Sequence, residues 1–236
     1  MRGLRSSWMV AAFLVVAAVA PFVLPEFSIT LANYIGLYAL VALGLVLLTG
    51  VGGLTSFGQA AFVGLGAYAT AVLSTATLPS WLAWLGASPW LGLLVGIALT
   101  LAVAAILGLL TLRLSGHYLP LGTIAWGISL AFLFGTSETL GGYTGLSGVP
   151  PIAIFGWKLE SGREIYYLIW AFLLAGIFTS RNLLDSREGR AIRALKGGMV
   201  MAESMGVNTS SSRMIAFVIA AMMACASGWL YAHMQR

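Results

Sequence analysis

The fold is decided by the segment Trp90–Leu112, WLGLLVGIALTLAVAAILGLLTL. It contains no charged residue, and about 20 apolar residues are enough for a helix to cross the hydrocarbon core of a bilayer. The segment lies in a longer region of the same kind, because no Asp, Glu, Lys or Arg occurs between Glu26 and Arg113, a run of 86 residues. A water-soluble domain cannot cover its surface with so few charges, so the sequence predicts a membrane protein.

The whole chain has the composition of a bundle of membrane helices, since 60% of its 236 residues are apolar and 8% are charged. At about 20 residues per span, this length predicts roughly seven helices with short connections and no sizeable domain outside the membrane. We therefore predict an all-α polytopic transmembrane bundle that forms one domain over residues 1–236. The predicted spans are Trp8–Leu24, Ile29–Leu48, Thr55–Leu78, Trp90–Leu112, Tyr118–Ser137, Ile165–Ser180 and Met214–Tyr231.

The basic residues assign the two sides of the membrane. Six of the twelve Lys and Arg residues lie between Arg181 and Arg213, and the positive-inside rule identifies residues 181–213 as a cytoplasmic loop. With seven spans, the N-terminus and its two arginines are also cytoplasmic, and residues 138–164 form an outer loop. The formal net charge of +5 is therefore a topology signal rather than a sign of nucleic-acid binding.

The two ends of the chain carry further expectations. Ala18-Val19-Ala20 resembles a signal-peptide cleavage site, but Pro21 follows it directly and the apolar run continues to Leu24, which favours an uncleaved first helix. At the other end, seven spans leave Arg236 on the outer side directly after an apolar run. This arrangement predicts that the chain is C-terminally truncated.

A glycine-rich segment, Thr49–Gln59, joins the second and third predicted spans and predicts a tight turn or a broken helix. A phosphate-binding loop is excluded, because no Lys-Ser/Thr pair follows the glycines. The Gln59 amide requires a partner helix, a water or a substrate, and a partner helix is favoured. Ser56 and Gln59 are the candidates for a translocation path. Small residues at four-residue spacing then predict close helix packing, namely Ala60 with Gly64 and Gly66 with Thr70.

The segment Leu140–Pro151 of the outer loop is uncharged and rich in turn-forming residues. Such a loop can dip into the membrane, present a docking surface to an external partner, or form an ordered cap over the bundle. The sequence leaves these alternatives open. The candidates for docking are Thr144, Gly145 and Ser147.

The inner loop combines basic residues with a helical pattern. Its first helix is expected to start at Asp185 and Glu188, which resemble a capping box. Basic residues follow at helical spacing, namely Arg187, Arg190, Arg193 and Lys196. After a Gly-Gly pair, a second short helix is expected to bury Met199 and Ala202, with Met205 as a further candidate. Two such helices serve as a lipid-surface anchor or as a docking element for a cytoplasmic protein, and the methionine face favours docking.

The sequence contains no pattern for catalysis or metal binding. Its one cysteine, Cys225, lies in an apolar run, and the two histidines, His117 and His233, lie at different ends of the bundle with no second ligand at a suitable spacing. No nucleophile–base pair or pair of carboxylates can be assembled at membrane depth. We therefore predict no metal, no cofactor and no enzymatic activity in the chain itself.

Three stretches in order along the chain resemble the signatures of one family: Gly53–Phe62 (GLTSFGQAAF), Gly141–Pro150 (GGYTGLSGVP) and Ser186–Leu195 (SREGRAIRAL). They resemble the branched-chain amino acid permeases of ATP-binding-cassette (ABC) importers, the LivH/LivM type, and most closely the LivM branch. The resemblance implies a subunit of a bacterial inner membrane that translocates branched-chain or related amino acids. Members of the family continue for two or more further spans, which strengthens the expectation of truncation.

The resemblance also implies partners and coupling residues. The partners are a second related permease, two cytoplasmic P-loop ATPase subunits, an extracytoplasmic substrate-binding protein and membrane lipid. In this family the inner loop supplies the helix that couples to the ATPase, although the acidic residues usual ahead of its core are absent here. The residues that match this element are Arg190, Arg193, Ala202, Glu203 and Gly206.

The mechanism expected from these features is alternating access driven by the ATPases, with the cargo held weakly by hydroxyls, amides and backbone groups. The alternative is an ion-coupled secondary carrier, which usually needs an acidic or basic residue inside the membrane. It is disfavoured because Glu26 and Glu138 sit at the ends of spans. Branched-chain amino acids, other amino acids, urea and short amides all stay open as cargo.

Overall fold

The computed structural model describes residues 2–75, 88–114, 118–154 and 156–236, with side chains from Phe13 onward. Two predicted features lie outside these residues: most of the connection between the third and fourth spans, and the inner turn at His117. Everything stated below about contacts refers to the described residues.

The secondary structure is almost entirely helical. The α-helices are α1 (Arg2–Val23), α2 (Glu26–Leu45), α3 (Gln59–Thr75), α4 (Pro89–Thr111), α5 (Tyr118–Thr136), α6 (Gly162–Asp185), α7 (Arg187–Leu195), α8 (Met199–Ser204) and α9 (Thr209–Gln235). The remaining elements are a π-helical turn that extends α2 (Val46–Val51), two 3-10 turns (Glu138–Leu140 and Gly142–Thr144) and a short antiparallel hairpin, β1 (Ala153–Ile154) and β2 (Trp157–Lys158). Each predicted span corresponds to one of the helices α1–α6 and α9, so the all-α polytopic bundle is confirmed.

Five of these helices are long and apolar enough to cross a membrane, namely α2 with its π-helical turn, α4, α5, α6 and α9. Helix α3 has 17 residues and ends at Thr75, next to residues outside the description. The described side chains of α1 form a shorter apolar stretch, Phe13–Val23. Which side of the membrane holds the N-terminus stays a prediction.

Helix α9 is the centre of the bundle, because it packs against α2, α3 and α4. In its most apolar window 61% of the residues are buried, compared with 11% for α5. Four alanines of α9, Ala216, Ala220, Ala221 and Ala224, are fully buried. Their small side chains let the neighbouring helices approach closely, which is how membrane helices gain packing contacts without a hydrophobic driving force.

Two glycines permit the closest crossing, between α3 and α9. A Cβ atom added at Gly66 would overlap the backbone carbonyl of Cys225, and one at Gly228 would overlap the backbone carbonyl of Val63. The predicted role of Gly66 in close helix packing is therefore confirmed. Gly64 instead faces the ring of Phe134 on α5.

The predicted helix starts differ from the structure by up to six residues, and α3 and α9 are two examples. Helix α3 begins at Gln59 rather than Thr55, because residues 53–58 are not helical. Helix α9 begins at Thr209, five residues before the predicted Met214, because the side chain of Asn208 accepts a hydrogen bond from the Ser211 amide at 3.0 Å. Hydropathy marks the apolar part of a helix, whereas capping decides where the helix begins.

The inner loop also differs from the prediction in two details. Helix α7 is capped by Ser186, whose hydroxyl accepts from the Gly189 amide at 3.2 Å, and not by Asp185. Helix α8 buries Ala202, whereas Met199 and Met205 are exposed, so the predicted burial of the methionines is wrong. A helix of six residues that packs against α7 and α9 can bury one narrow face, and Ala202 fills it.

Candidate functional site

The glycine-rich segment forms a helix break in which two backbone amides donate to carbonyls of the preceding turn. The amide of Gly52 donates to the Leu47 carbonyl at 3.0 Å, and the amide of Leu54 donates to the Leu48 carbonyl at 3.0 Å. Gly53 adopts φ +68°, a conformation that L side chains rarely take. The chain then runs without helical structure to Gln59, so the broken-helix alternative is the one observed.

This break opens onto a groove of about 450 Å³ bounded by α2, the break, α3 and α9. The groove follows one face of α2 for about 16 Å, the distance from Tyr34 to Leu45 on a helix. Tyr38 and Val41 lie between them on the same face. The complete lining is Tyr34, Leu37, Tyr38, Val41, Leu45, Ser56, Phe57, Gln59, Ala60, Val63, Ser227 and Tyr231. The structure therefore brings the two predicted translocation-path residues, Ser56 and Gln59, into one groove.

The polar atoms of these two residues have no partner among the described residues. Gln59 is 3% exposed and Ser56 is 6% exposed. Neither the Ser56 hydroxyl nor the amide oxygen or nitrogen of Gln59 makes a hydrogen bond there. The partner helix that the sequence favoured for Gln59 is thus not found in the described part of the chain. Each buried polar group left without a hydrogen bond costs about 1–3 kcal/mol, which favours a water or a ligand bonded to these atoms.

The other serine of the groove differs in this respect. The hydroxyl of Ser227 donates to the Leu37 carbonyl at 2.9 Å and so ties α9 to α2. Leu37 and Val63 add apolar surface to the same groove. The groove therefore offers an amide and a hydroxyl with unused hydrogen-bonding capacity beside apolar walls.

The basic residues of the inner loop bind the C-terminal ends of other helices. Arg190 donates to the Asp185 carbonyl at 3.3 Å, and Arg193 donates to the Leu184 carbonyl, both at the end of α6. Lys196 donates to the Gly50 carbonyl at 3.1 Å in the turn that ends α2, and Arg213 donates to the Leu112 carbonyl at 2.7 Å after α4. The last carbonyls of a helix lack intrahelical donors and carry partial negative charge, so cations stabilise them.

The predicted coupling residues lie in two places on this inner face. Ala202, Glu203 and Gly206 lie together in α8 and the turn after it, where Gly206 has φ +79°. A carboxylate oxygen of Glu203 accepts from the Thr209 hydroxyl at 2.6 Å. Arg190 and Gly206 line a shared groove of about 430 Å³ between α7 and the start of α9, whereas Arg193 binds the end of α6.

Beside these residues α8 and the residue after it present an apolar surface, of which the sequence analysis named Met205 but neither Val200 nor Met201. Val200 is 82% exposed, Met201 57% and Met205 70%. The sequence gives a weak signal for it, since an apolar Val-Met pair follows Gly198 and Met199 at the start of a very short helix. Such a patch is typical of a surface that contacts a protein or a membrane.

The outer loop has an anchored half and an exposed half. Its second half is fixed to the bundle by two hydrogen bonds. The Pro150 carbonyl oxygen lies 2.8 Å from His233 Nδ1, and the Ala153 carbonyl accepts from the Trp90 indole N–H at 3.0 Å. Its first half carries the predicted docking residues: Thr144, whose hydroxyl donates to the Gly141 carbonyl, Gly145 and Ser147. Next to them Tyr143 is 83% exposed. The ordered-cap alternative thus describes the second half, and the first half remains accessible to a partner.

The chain is similar to known proteins over most of its length. The family model described as the permease component of the branched-chain amino acid transport system matches residues 27–236. Two curated proteins, each named high-affinity branched-chain amino acid transport system permease protein LivM, are similar over 95% of the chain: that of Salmonella typhimurium at 29% identity and that of Escherichia coli at 28%. The match covers 56% of each relative, so the chain spans about half the length of the curated relatives it matches. No solved structure matches the chain.

Proposed function

The chain belongs to the family of branched-chain amino acid transport permeases, and from that membership we propose that it is a permease subunit of an ABC importer. Its cargo would be a branched-chain or related amino acid, and its location the bacterial inner membrane. Hydrolysis of ATP would occur in separate subunits. The chain itself would supply half of the translocation path and the surfaces that contact its partners.

The observation that carries this proposal is the groove of about 450 Å³ with the side chains of Ser56 and Gln59, whose polar atoms have no hydrogen-bond partner in the described part of the chain. An amino acid zwitterion offers both donors and acceptors, which the Gln59 amide and the Ser56 hydroxyl can bind. The apolar wall from Leu37 and Val63 suits an aliphatic side chain. With no charged residue in the lining, binding would be weak, as a path that must also release its cargo requires.

A second, related permease would complete the path on the open side of the groove. The neighbouring face of α2 is apolar and exposed, with Leu31 at 53%, Ile35 at 55% and Tyr38 at 67%. Tyr38 also lines the groove, so the exposed face and the groove are continuous. A partner helix packed against this face would close the groove into a channel between two subunits.

The inner face would couple the bundle to the ATPases through α7 and α8. In this proposal the apolar residues Val200, Met201 and Met205 insert into an ATPase cleft beside Ala202, Glu203 and Gly206. Arg190 and Arg193 would transmit the movement, because they bind the carbonyls at the end of α6. On the opposite face, Thr144, Gly145 and Ser147 would meet the extracytoplasmic binding protein.

The test is amino acid uptake by the full protein, reconstituted in proteoliposomes with its natural partner subunits. We expect uptake of a labelled branched-chain amino acid to require ATP and to persist when an uncoupler collapses the proton gradient. Uptake that continues without ATP and stops with the uncoupler would instead support an ion-coupled carrier. Uptake that depends on neither would contradict both transport mechanisms.

A further inference from the structure

A second cavity, of about 280 Å³, lies on the inner face between the helix break, the end of α7 and the start of α9. It is separate from the translocation groove, and none of the residues that form one lines the other. Its described lining is Gly52, Gly53, Leu54, Thr55, Leu114, Leu119, Leu195, Lys196, Gly198, Met199 and Arg213. Gly53, Leu54 and Thr55 belong to the first signature stretch and Leu195 to the third, whereas none of the predicted coupling residues lines this cavity.

The described lining of this cavity contains two cations and no carboxylate. Lys196 donates to the Gly50 carbonyl at 3.1 Å, and Arg213 donates to the Leu112 carbonyl at 2.7 Å and to the sulfur of Met199. These acceptors are neutral, so they orient the two cations without neutralising them. The Nε of Arg213 is buried and has no hydrogen-bond partner among the described residues.

We propose that this cavity binds a phosphate group, held by Lys196 and by the unused Nε–H of Arg213. Arg and Lys are the side chains that bind phosphate most strongly, through charge-assisted hydrogen bonds. The Thr55 hydroxyl offers a further donor in the lining. The ligand is either the headgroup phosphate of an anionic phospholipid or a phosphate ion from solution.

The surroundings of the cavity suit the lipid source. The cavity lies where α2 and α4 end on the basic side of the bundle, and basic pockets at helix ends on that side attract anionic headgroups. Leucines at 54, 114, 119 and 195 line it as well and would contact the glycerol and the first methylenes of an acyl chain. A bound headgroup would join the helix break, the inner loop and α9 at one point.

The experiment uses the full chain in detergent and measures retained lipid by native mass spectrometry after incubation with phosphatidylglycerol or phosphatidylcholine. A parallel titration uses inorganic phosphate alone. The variants are Lys196→Gln and Arg213→Gln, and the matched control is Arg181→Gln, which removes a charge from an exposed residue outside the cavity. Lys196 is exposed, so Lys196→Gln is expected to fold normally even if Arg213→Gln does not.

We expect the wild-type chain to retain phosphatidylglycerol over phosphatidylcholine and each cavity variant to weaken retention about tenfold, with Arg181→Gln unchanged. Inorganic phosphate could instead bind with the same dependence on Lys196 while the two lipids are retained equally. That result would support the phosphate site and identify a phosphate ion from solution as its ligand. The proposal is overturned if Lys196→Gln binds lipid and phosphate as the wild type does, or if Arg181→Gln loses as much as the cavity variants.

Discussion

The amide of Gln59 is buried beside the Ser56 hydroxyl, and neither side chain is bonded to a described residue. A polar group with a purely structural role normally has its partner within the protein, as the Ser227 hydroxyl has at the Leu37 carbonyl. The two serines of the groove thus differ: the Ser227 hydroxyl holds two helices together, whereas we propose that the Ser56 hydroxyl binds the cargo. This difference can be measured with single substitutions.

We predict that Gln59→Leu lowers uptake at least about tenfold while leaving thermal stability unchanged or higher. Leucine has a similar size and removes an amide that now costs about 1–3 kcal/mol by lacking partners. The measurements are uptake in proteoliposomes and the unfolding midpoint in detergent.

Ser227→Ala serves as the matched comparison within the same groove. It removes a hydroxyl that is already bonded, so we expect it to lower stability by about 1 kcal/mol and to affect uptake less than Gln59→Leu. If the Gln59→Leu protein transports normally but has a lower unfolding midpoint, the Gln59 amide has a structural role and does not bind the cargo.

Among the contacts between helices, the backbones of α3 and α9 approach each other so closely at their crossing that no Cβ atom fits at Gly66 or Gly228. Gly66 and Gly228 each lie against a backbone carbonyl of the other helix, at Cys225 and Val63. Membrane helices associate through such close contacts, so small residues at a crossing have a direct energetic role.

We predict that Gly66→Ala and Gly228→Ala each destabilise the bundle by at least about 1–3 kcal/mol, because the added methyl group meets backbone that cannot rotate away. The measurement is the thermal midpoint of the detergent-solubilised chain. Gly50→Ala is the control, since its new Cβ would meet the Val46 side chain at 3.6 Å, an ordinary contact. Equal midpoints for all three variants would contradict the assigned crossing.

Helix α8 is the element that we assign to ATPase contact. Glu203→Arg is expected to reduce capture of the ATPase subunit at least about fivefold, because it reverses a charge beside the apolar residues Val200 and Met201. The measurement is the amount of ATPase that co-purifies with the tagged permease. Undiminished capture would remove Glu203 from the interface.

The hydrogen bond from Thr209 to Glu203 allows direct contact to be separated from local positioning. Thr209→Val removes this 2.6 Å hydrogen bond and keeps the carboxylate. We expect this variant to retain most of the ATPase capture. If it loses as much as Glu203→Arg, the carboxylate acts by holding α8 against α9 and not by touching the partner.

At the scale of the whole molecule, the proposed translocation groove lies beside exposed apolar residues of α2. A path open to lipid along one side cannot carry a zwitterion, because its charged groups would lose their hydration without replacement. The proposed transporter therefore requires a second subunit against α2.

We predict that Ile35→Trp weakens co-purification with the second permease while the chain itself folds normally. The change enlarges a side chain on the proposed contact face, where Ile35 is 55% exposed. Leu109→Trp is the control, since Leu109 is similarly exposed, at 57%, on a helix that does not line the groove. Equal pairing of both variants with the second permease would direct the search for its contact surface to another face.

The element boundaries illustrate how much of the fold followed from the sequence. Trp90 was predicted as the start of a span and α4 begins one residue earlier, at Pro89, because the apolar run begins there and proline is favoured at the first position of a helix. The predicted start of α9, Met214, lies five residues after the observed one. Asn208 caps the helix, and the polar residues that follow it are helical although their hydropathy is typical of a loop. Burial on the short helix α8 was predicted wrongly, because helical periodicity does not specify which face meets the bundle.

By itself, the sequence determined that this chain is a bundle of membrane helices of one transport family, with a basic loop over residues 181–213 and with two polar residues, Ser56 and Gln59, beside a long apolar helix. These conclusions depend on composition, on runs of apolar residues and on short motifs, all of which are local in the chain. The tertiary structure alone decided that Ser56 and Gln59 face one groove without a described partner, and that Lys196 and Arg213 meet around a second cavity. The reason is that such encounters depend on how each helix is rotated and where it crosses its neighbours, which close packing around residues such as Gly66 and Gly228 fixes.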